Sequence, residues 1–336
     1  MTRTLLQERL SSIVKRFPQR RIVVVGDAIA DQFVYGAISR VSREAPVFIL
    51  KHEQTETVPG GAANCAVNLA SLGAQVSLVA AVGTDAAGKA LLEKLENAGV
   101  NCRGIVVSEE LQTTTKVRIL AGQLHSTRQQ VIRLDYDGQT PISPDLQALL
   151  RQRASELAKD AGAIIVSDYN YGVVAPEMTS SVRAATSQRD VPVLVDSRFK
   201  LLQFPGFTSA TPNEDEVEQL LGKDFGSSDN LESAGEKLRE QLGYRALLIT
   251  RGGHGMILFE SGVPPLHIPA VGGSEPVDVT GAGDTVIATY TLALASDASF
   301  SDAAHLANHA GGLVVMKRGT ASISAEELEH SLTLGD

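Results

Sequence analysis

Apolar residues along this chain fall into two alternating patterns. Arg21-Ile-Val-Val-Val-Gly26 is a β-branched run that ends at glycine, and comparable runs follow at 76–82, 163–167, 191–196 and 246–250. Short runs that are apolar throughout, with no polar alternation, predict strands of a parallel sheet buried on both faces. Between them, apolar positions recur with helical spacing at 62–72, 88–98, 146–159 and 231–242. Strand and helix thus alternate over most of the chain, which predicts an α/β protein with a parallel-rich sheet covered on both sides. A leading segment sets Leu5, Leu6, Leu10, Ile13, Val14 and Phe17 at helical spacing among Arg3, Glu8, Arg9, Lys15 and Arg16. It predicts an N-terminal helical extension over residues 1–20.

Two stretches break the alternation, 33–52 and 113–136. In the second, Thr115, Val117 and Ile119, then Val131, Ile132 and Leu134, read as hairpin strands with no helix between them. Together they predict a discontinuous β lid, from about 33–58 and 112–137, beside the main body. The lid carries Arg40, Arg43, Arg118, Arg128 and Arg133. These arginines either solvate an edge strand or face an anionic ligand. Without an internal repeat, low-complexity tract or long linker, the chain reads as a single domain over 1–336.

Composition narrows the functions open to such a fold. The chain has 30 basic and 39 acidic residues, a formal charge of −9, so no general basic field draws it to nucleic acid or to an anionic membrane. Any phosphate must be held locally. No apolar run approaches the roughly 20 residues that span a bilayer, and no signal-peptide core opens the chain. The two cysteines, Cys65 and Cys102, lack disulfide-framework or zinc spacing and read as buried small hydrophobes. A cytoplasmic location follows as the expectation.

The strongest chemical signal is Asp278-Val-Thr-Gly-Ala-Gly-Asp284, which opens a long apolar helical run. At a helix start the N–H groups of Gly281, Ala282 and Gly283 are free, and the helix dipole is positive, so an anion can be held there. A carboxylate at Asp284 would repel that anion unless a hydroxyl stood between them, as in phosphoryl transfer; its other reading is as a favourable charge at a helix start. The second signal is the run from Pro59 to Gly73, where Gly60 and Gly61 precede a helix of small residues and Asn64 offers both donor and acceptor to a polyol. No third glycine follows at dinucleotide spacing, which disfavours a Rossmann dehydrogenase.

Together, in this order, the two segments resemble the signatures of the ribokinase-like (PfkB-type) carbohydrate kinases, and the resemblance runs from about Arg21 to Ser322. It implies a ribokinase-like three-layer α/β/α sandwich with a small β-sheet lid. It further implies that Asp284 is the catalytic base, that Gly281, Ala282 and Gly283 form the anion hole, and that Asp31 grips sugar hydroxyls with Gly60, Gly61 and Asn64. Thr211-Pro-Asn213-Glu-Asp-Glu216 resembles the motif near the phosphates and Mg²⁺, with Asn213 toward nucleotide and Glu216 toward metal. Thr250-Arg-Gly252-Gly253-His-Gly255 resembles the nucleotide-binding strand and loop, and Asn308, Gly311 and Gly312 the helix beside adenine. ATP is the implied co-substrate and Mg²⁺ the cofactor. A monovalent cation near Asp278 and the 317–322 loop, and a homodimer through the lid, are further expectations.

Within the family, Ser39-Arg-Val-Ser-Arg-Glu-Ala-Pro46, residues 129–136, Ser167-Asp-Tyr169 and Lys317-Arg-Gly-Thr320 look like segments of the D-glycero-β-D-manno-heptose 7-phosphate kinases. That branch forms the 1,7-bisphosphate for the lipopolysaccharide core, and many members carry a C-terminal adenylyltransferase half, which is not expected in a chain ending at Asp336. Tyr171 stands where the branch has lysine, and Asp196-Ser-Arg198 replaces its Asp-Pro-Lys. A phosphorylated substrate requires cationic partners, and the candidates are Arg40, Arg43, Arg118, Arg133 and Arg198. The alternatives are a kinase for ribose, fructose or a nucleoside, and a catalytically silent nucleotide-binding regulator. His254, His305 and His309 read as structural, as do Glu214, Asp215 and Glu218; Tyr169 and Tyr171 read equally as packing residues or sugar platforms.

Overall fold

The computed structural model describes residues 3–122, 128–137, 141–223, 228–272 and 275–334. Its elements are α1 (Arg3–Val14), β1 (Arg21–Gly26), β2 (Ala28–Val41), β3 (Phe48–Gly61), α2 (Ala62–Ser71), β4 (Gln75–Val79), β5 (Ala81–Gly83), α3 (Ala86–Asn97), β6 (Val106–Ser108), β7 (Thr115–Gly122), β8 (Gln129–Tyr136) and α4 (Pro144–Ala158). There follow β9 (Ala163–Asp168), α5 (Pro176–Thr186), β10 (Val193–Ser197), β11 (Ser209–Ala210), α6 (Glu214–Leu221), α7 (Ser228–Leu242), β12 (Ala246–Thr250), β13 (Met256–Glu260), β14 (Val263–Ile268), α8 (Ala282–Ala295), α9 (Phe300–Val314) and α10 (Ala325–Leu334).

The layers follow from the apolar runs. The central sheet is parallel, in the order β11-β10-β9-β1-β4. Successive residues of a strand point to opposite faces, so a run apolar throughout feeds two cores. Ile22 and Val24 join a core with Leu69 of α2, Ile287 of α8 and Leu306 of α9. Val23 and Val25 join the other, with Leu150 of α4, Met178 of α5 and Leu238 of α7. The bridge between Asn213 and Thr250 links this sheet to the antiparallel β12-β13-β14 sheet. The three-layer α/β/α architecture is ribokinase-like. Helix α8 is buried nearly all round, which explains an apolar sequence with almost no amphipathic stripe.

The lid is a four-stranded sheet, β3-β2-β7-β8, with β2 parallel to β7 and the other pairs antiparallel. It is rooted deeper than the sequence pattern suggests: β2 starts at Ala28 and β3 runs on to Gly61, so the buried base of each strand belongs to the core. Residues 123–127, part of the expected lid, lie outside the described residues. The run 76–82 divides at Ala80, because β4 pairs with β1 whereas β5 pairs with β6. Cys65 is buried, but Cys102 is only half-buried, beside the short β6 strand.

Candidate active site

The strands of the central sheet and β12 deliver their C-terminal ends to one edge, where open α/β sheets place ligands. A cleft of about 330 Å³ lies there. Tyr169 reaches it from the end of β9, Asp196 from β10, Thr211 and Asn213 from beyond β11, and Thr250 from β12. The start of α8 forms the floor and the lid strands the opposite wall.

At the floor, Gly281 caps α8 with φ +78°, and a Cβ there would come 2.7 Å from the Asn64 Nδ2, so only glycine fits. Among the described residues the N–H groups of Gly281 and Gly283 meet no acceptor, whereas that of Ala282 donates to Val279 O at 3.2 Å. Two of the three expected anion-hole donors are therefore uncommitted. Asp284 lies in the first turn, 6% exposed. Its Oδ2 accepts from Asn64 Nδ2 at 2.6 Å and its Oδ1 from the Tyr169 hydroxyl at 3.1 Å. Burial nevertheless pushes its carboxyl up to about 6, into the range where a carboxylate exchanges protons near neutral pH. Asn64 is fixed in turn by Asn68, which donates to its Oδ1 and accepts from Thr285 of α8.

The lid wall carries two of the three lysine and arginine side chains that line the cleft. Arg118 of β7 pairs with Asp31 of β2, and a Cβ on Gly60 would come 2.4 Å from Asp31 Oδ2. Lys116, two residues before Arg118 and lining the same cleft, lies 5.8 Å and 5.9 Å from the ring centres of Tyr169 and Tyr171. Burial pushes its ammonium below the usual lysine range, against the pull of Asp31. Neither Lys116 nor Arg198, which also lines the cleft, forms an ion pair among the described residues. Arg133 does not belong to this group. It pairs across the ladder with Arg118 but sits one strand further out, where Asp135 takes its guanidinium at 2.9 Å through two contacts. Arg40 and Arg43, at the exposed outer end of the lid, are also absent from the cleft.

On the remaining side, Asn213 and Glu216 form a reciprocal capping box at the start of α6. Both also line the cleft. Burial raises the Glu216 carboxyl, while burial together with Asp284, Glu216 and Asp168 holds Asp196 well above its usual range. Gly252, Gly253, Gly255, Asn308 and Gly312 lie outside the cleft lining. A Cβ on Gly255 or Gly312 would come 2.0 Å from the carbonyl oxygen of Ile268 or Val271, so both are required by backbone packing. Asn308 Nδ2 donates to Pro269 O at 2.7 Å. Asp278, though partly desolvated, is held below the usual carboxylate range by the N–H groups of Thr280 and Gly319, which tie two loops together.

Sequence reasoning passed over Lys116, Asp27 and the hydroxyl of Tyr169. The signal for Lys116 was its i, i+2 spacing from Arg118 on a strand, which puts both on one face.

Fold and cleft together define a ribokinase-like α/β protein with its site under a β lid. The chain belongs to the pfkB family of carbohydrate kinases, whose sequence pattern it matches over residues 19–327, and thus to the phosphotransferases with an alcohol acceptor. It is 42% identical over 323 residues to "Bifunctional protein HldE" of Marinomonas sp. (strain MWYL1), covering 95% of this chain and 65% of that protein. Identity to the protein of the same name from Pseudomonas aeruginosa (strain UCBPP-PA14) is 41%, over 94% of this chain and 64% of that protein. The chain thus spans just under two thirds of these relatives. Its fold is similar to that of Arabidopsis thaliana ribokinase complexed with ribose and ATP, with TM-score 0.73, 22% identity, and 93% and 98% of the two chains covered. It is also similar to Escherichia coli phosphofructokinase-2 in complex with potassium, with TM-score 0.77, 18% identity, and coverage of 94% and 98%.

Proposed function

We propose that the chain transfers the γ-phosphoryl group of ATP to O1 of D-glycero-β-D-manno-heptose 7-phosphate, giving the 1,7-bisphosphate and ADP. The observation that carries this reading is the pair of cations without carboxylate partners, Lys116 and Arg198, in the cleft that also holds a buried carboxylate of raised pKa. Lys116, partly desolvated and without an ion pair, is held at a cost that an anionic substrate group relieves, and the exposed Arg198 adds a second cation to the cleft lining. The segments resembling the heptose 7-phosphate kinases, and the 42% identity to a protein named HldE, support the same reading.

In this reading Asp284 accepts the proton of the anomeric hydroxyl as O1 bonds to the γ-phosphorus and the bond from that phosphorus to the β,γ-bridging oxygen breaks. The N–H groups of Gly281 and Gly283 face the phosphoryl group in transfer, and Asp31 orients sugar hydroxyls. Among the described residues no three metal-ligating side chains cluster. Glu216, a half-buried carboxylate of the cleft lining, fits Mg²⁺ that is bound mainly through nucleotide phosphates. When bound, that ion neutralises charge on the β and γ oxygens. Asn213 and Thr250 flank the nucleotide phosphates, while Gly252, Gly253, Asn308 and Gly312 bound the nucleoside end.

No helix among the described residues is long and apolar enough to cross a membrane, and we place the enzyme in the cytoplasm, with its soluble substrates. The lid exposes Val41, Phe48, Val131, Ile132 and Leu134, and this uncovered apolar surface is the proposed site of homodimer formation. An ADP-release assay over heptose 7-phosphate, free heptose, ribose, fructose, fructose 6-phosphate and adenosine tests the function. Heptose 7-phosphate should exceed every other acceptor in kcat/KM by about 100-fold or more. Preference for an unphosphorylated acceptor makes the chain a generic sugar or nucleoside kinase. Nucleotide binding without any turnover makes it a regulator.

A further inference from the structure

We propose that Asp27 and Tyr169 are the positioning residues of the Asp284 carboxylate, with Asp27 governing both arms that hold it. The proposal rests on the reading of Asp284 as general base. One arm is Asn64, three residues into the helix that follows Gly61; the other is Tyr169, in the loop after β9. Asp27 touches the base of each. Its carbonyl accepts the N–H of Ala62, the first residue of α2, at 3.0 Å. Its carboxylate accepts the N–H of Tyr169 at 2.9 Å and those of Tyr171 and Val173 at 3.0 Å.

A carboxylate that takes three successive odd-numbered N–H groups dictates the path of the loop. Asn170 between them adopts φ +66°, a conformation uncommon for a residue with a side chain, and Asp168 Oδ1 accepts its N–H at 3.0 Å. Asp27 is 2% exposed, and its carboxyl is raised by burial despite the three donors, so it is a costly group kept where a neutral acceptor could not make the same bonds. An asparagine there would turn an N–H group toward at least one N–H of the loop.

The outcome at Asp284 is a carboxylate with both oxygens pinned, Oδ2 by Asn64 and Oδ1 by Tyr169. Burial and the neighbouring carboxylate raise the Tyr169 hydroxyl well above its usual range, so it stays protonated and can only donate to Asp284. The charged and titratable groups around Asp284 are Cys65 on α2, Asp31 on β2, Lys116 on β7, Tyr169 after β9 and Asp196 on β10. Arg118 is tied to Asp31, while Arg198 and Glu216 line the same cleft. Within that set only Tyr169, together with the amide of Asn64, bonds directly to the carboxylate. A donor to the ionised form favours it, so losing the hydroxyl should raise the pKa of Asp284.

The test is a ¹³C NMR titration of protein labelled at aspartate Cγ, with Asp284→Asn assigning the Asp284 signal. Wild type is compared with Tyr169→Phe, Asp27→Asn and Tyr171→Phe. Tyr171 shares the loop, but its hydroxyl donates to Asp137, so it controls for general disturbance. We expect the Asp284 midpoint to move to higher pH in Tyr169→Phe and Asp27→Asn and to stay in place in Tyr171→Phe. With the best acceptor, Tyr169→Phe should lower kcat about tenfold and leave the KM for ATP unchanged, with the acid limb of the pH profile displaced in the same direction. An unmoved midpoint in Tyr169→Phe, or an equal shift in Tyr171→Phe, overturns the proposal. Should Asp27→Asn fail to fold, the two tyrosine variants decide it. Should wild type phosphorylate no acceptor, the functional reading fails, while the titration still decides whether Tyr169 governs Asp284.

Discussion

The two walls of the cleft are built differently. The floor belongs to the core: α8 is buried over nearly its whole length, and Asp284 is laced to α2 and to the β9 loop. The lid wall is a single sheet whose edge strand β8 is exposed at every residue and whose β2 and β3 become exposed toward the outer end of the lid. A group that needs a raised pKa must be kept from water, and the proposed base, Asp284, sits where packing is tightest. A group proposed to recognise an anion needs only a cation at the right place, and a thin sheet with alternating side chains sets Lys116 and Arg118 on the cleft wall.

If the floor carries the chemistry, its variants should act on turnover and the lid's on substrate affinity. The largest effect is expected for Asp284→Asn, with kcat down by roughly 10²–10⁴ and nucleotide affinity retained, as read by steady-state kinetics and calorimetry. The same variant should be more stable than wild type. The folded-state pKa lies above the unfolded value, so ionising Asp284 costs stability as pH rises, and this cost is complete above about 6. Removing the charge should return up to about 3 kcal/mol at pH 7, seen as a higher Tm.

Next in size, Lys116→Ala on the lid, and Arg198→Ala just after β10 of the central sheet, should each raise the KM for sugar phosphate by roughly 10- to 100-fold and leave that for ATP alone. An equal loss for free sugar would erase the division of labour between the walls. The pH profile sharpens the same point: Asp284 must be ionised to take a proton, so kcat/KM should fall about tenfold per unit as pH drops below about 6. The smallest effect belongs to Arg133→Ala, within about twofold in every kinetic constant, because its partner is Asp135 at the lid surface.

The same contrast governs what could be read from sequence. Runs such as residues 21–26 and 163–167 announce buried parallel strands because both faces must be apolar, and Gly281 and Gly61 announce turns because their conformations exclude side chains. Asp284 and Asn64 stood out through their place in those turns. Lid residues carry weaker signals. Arg118 and Arg133 looked equivalent, as opposite members of a hairpin, and only the order of strands shows that one faces the cleft and the other its surface partner. The division of 76–82 at Ala80 was invisible because both halves are apolar and only their pairing partners differ. Asp27 and the Tyr169 hydroxyl act through contacts to residues more than a hundred positions away, which no local pattern encodes.

The proposed reaction is phosphorylation of the anomeric oxygen of a sugar already phosphorylated at its far end. ³¹P NMR of a reaction containing ATP, Mg²⁺ and D-glycero-β-D-manno-heptose 7-phosphate tests it most directly. Loss of the ATP signals, growth of ADP, and one new sugar phosphate resonance coupled to the anomeric proton are expected, while the 7-phosphate resonance persists. ATP turned over to ADP and free phosphate, or a new phosphate on any other carbon, would contradict it.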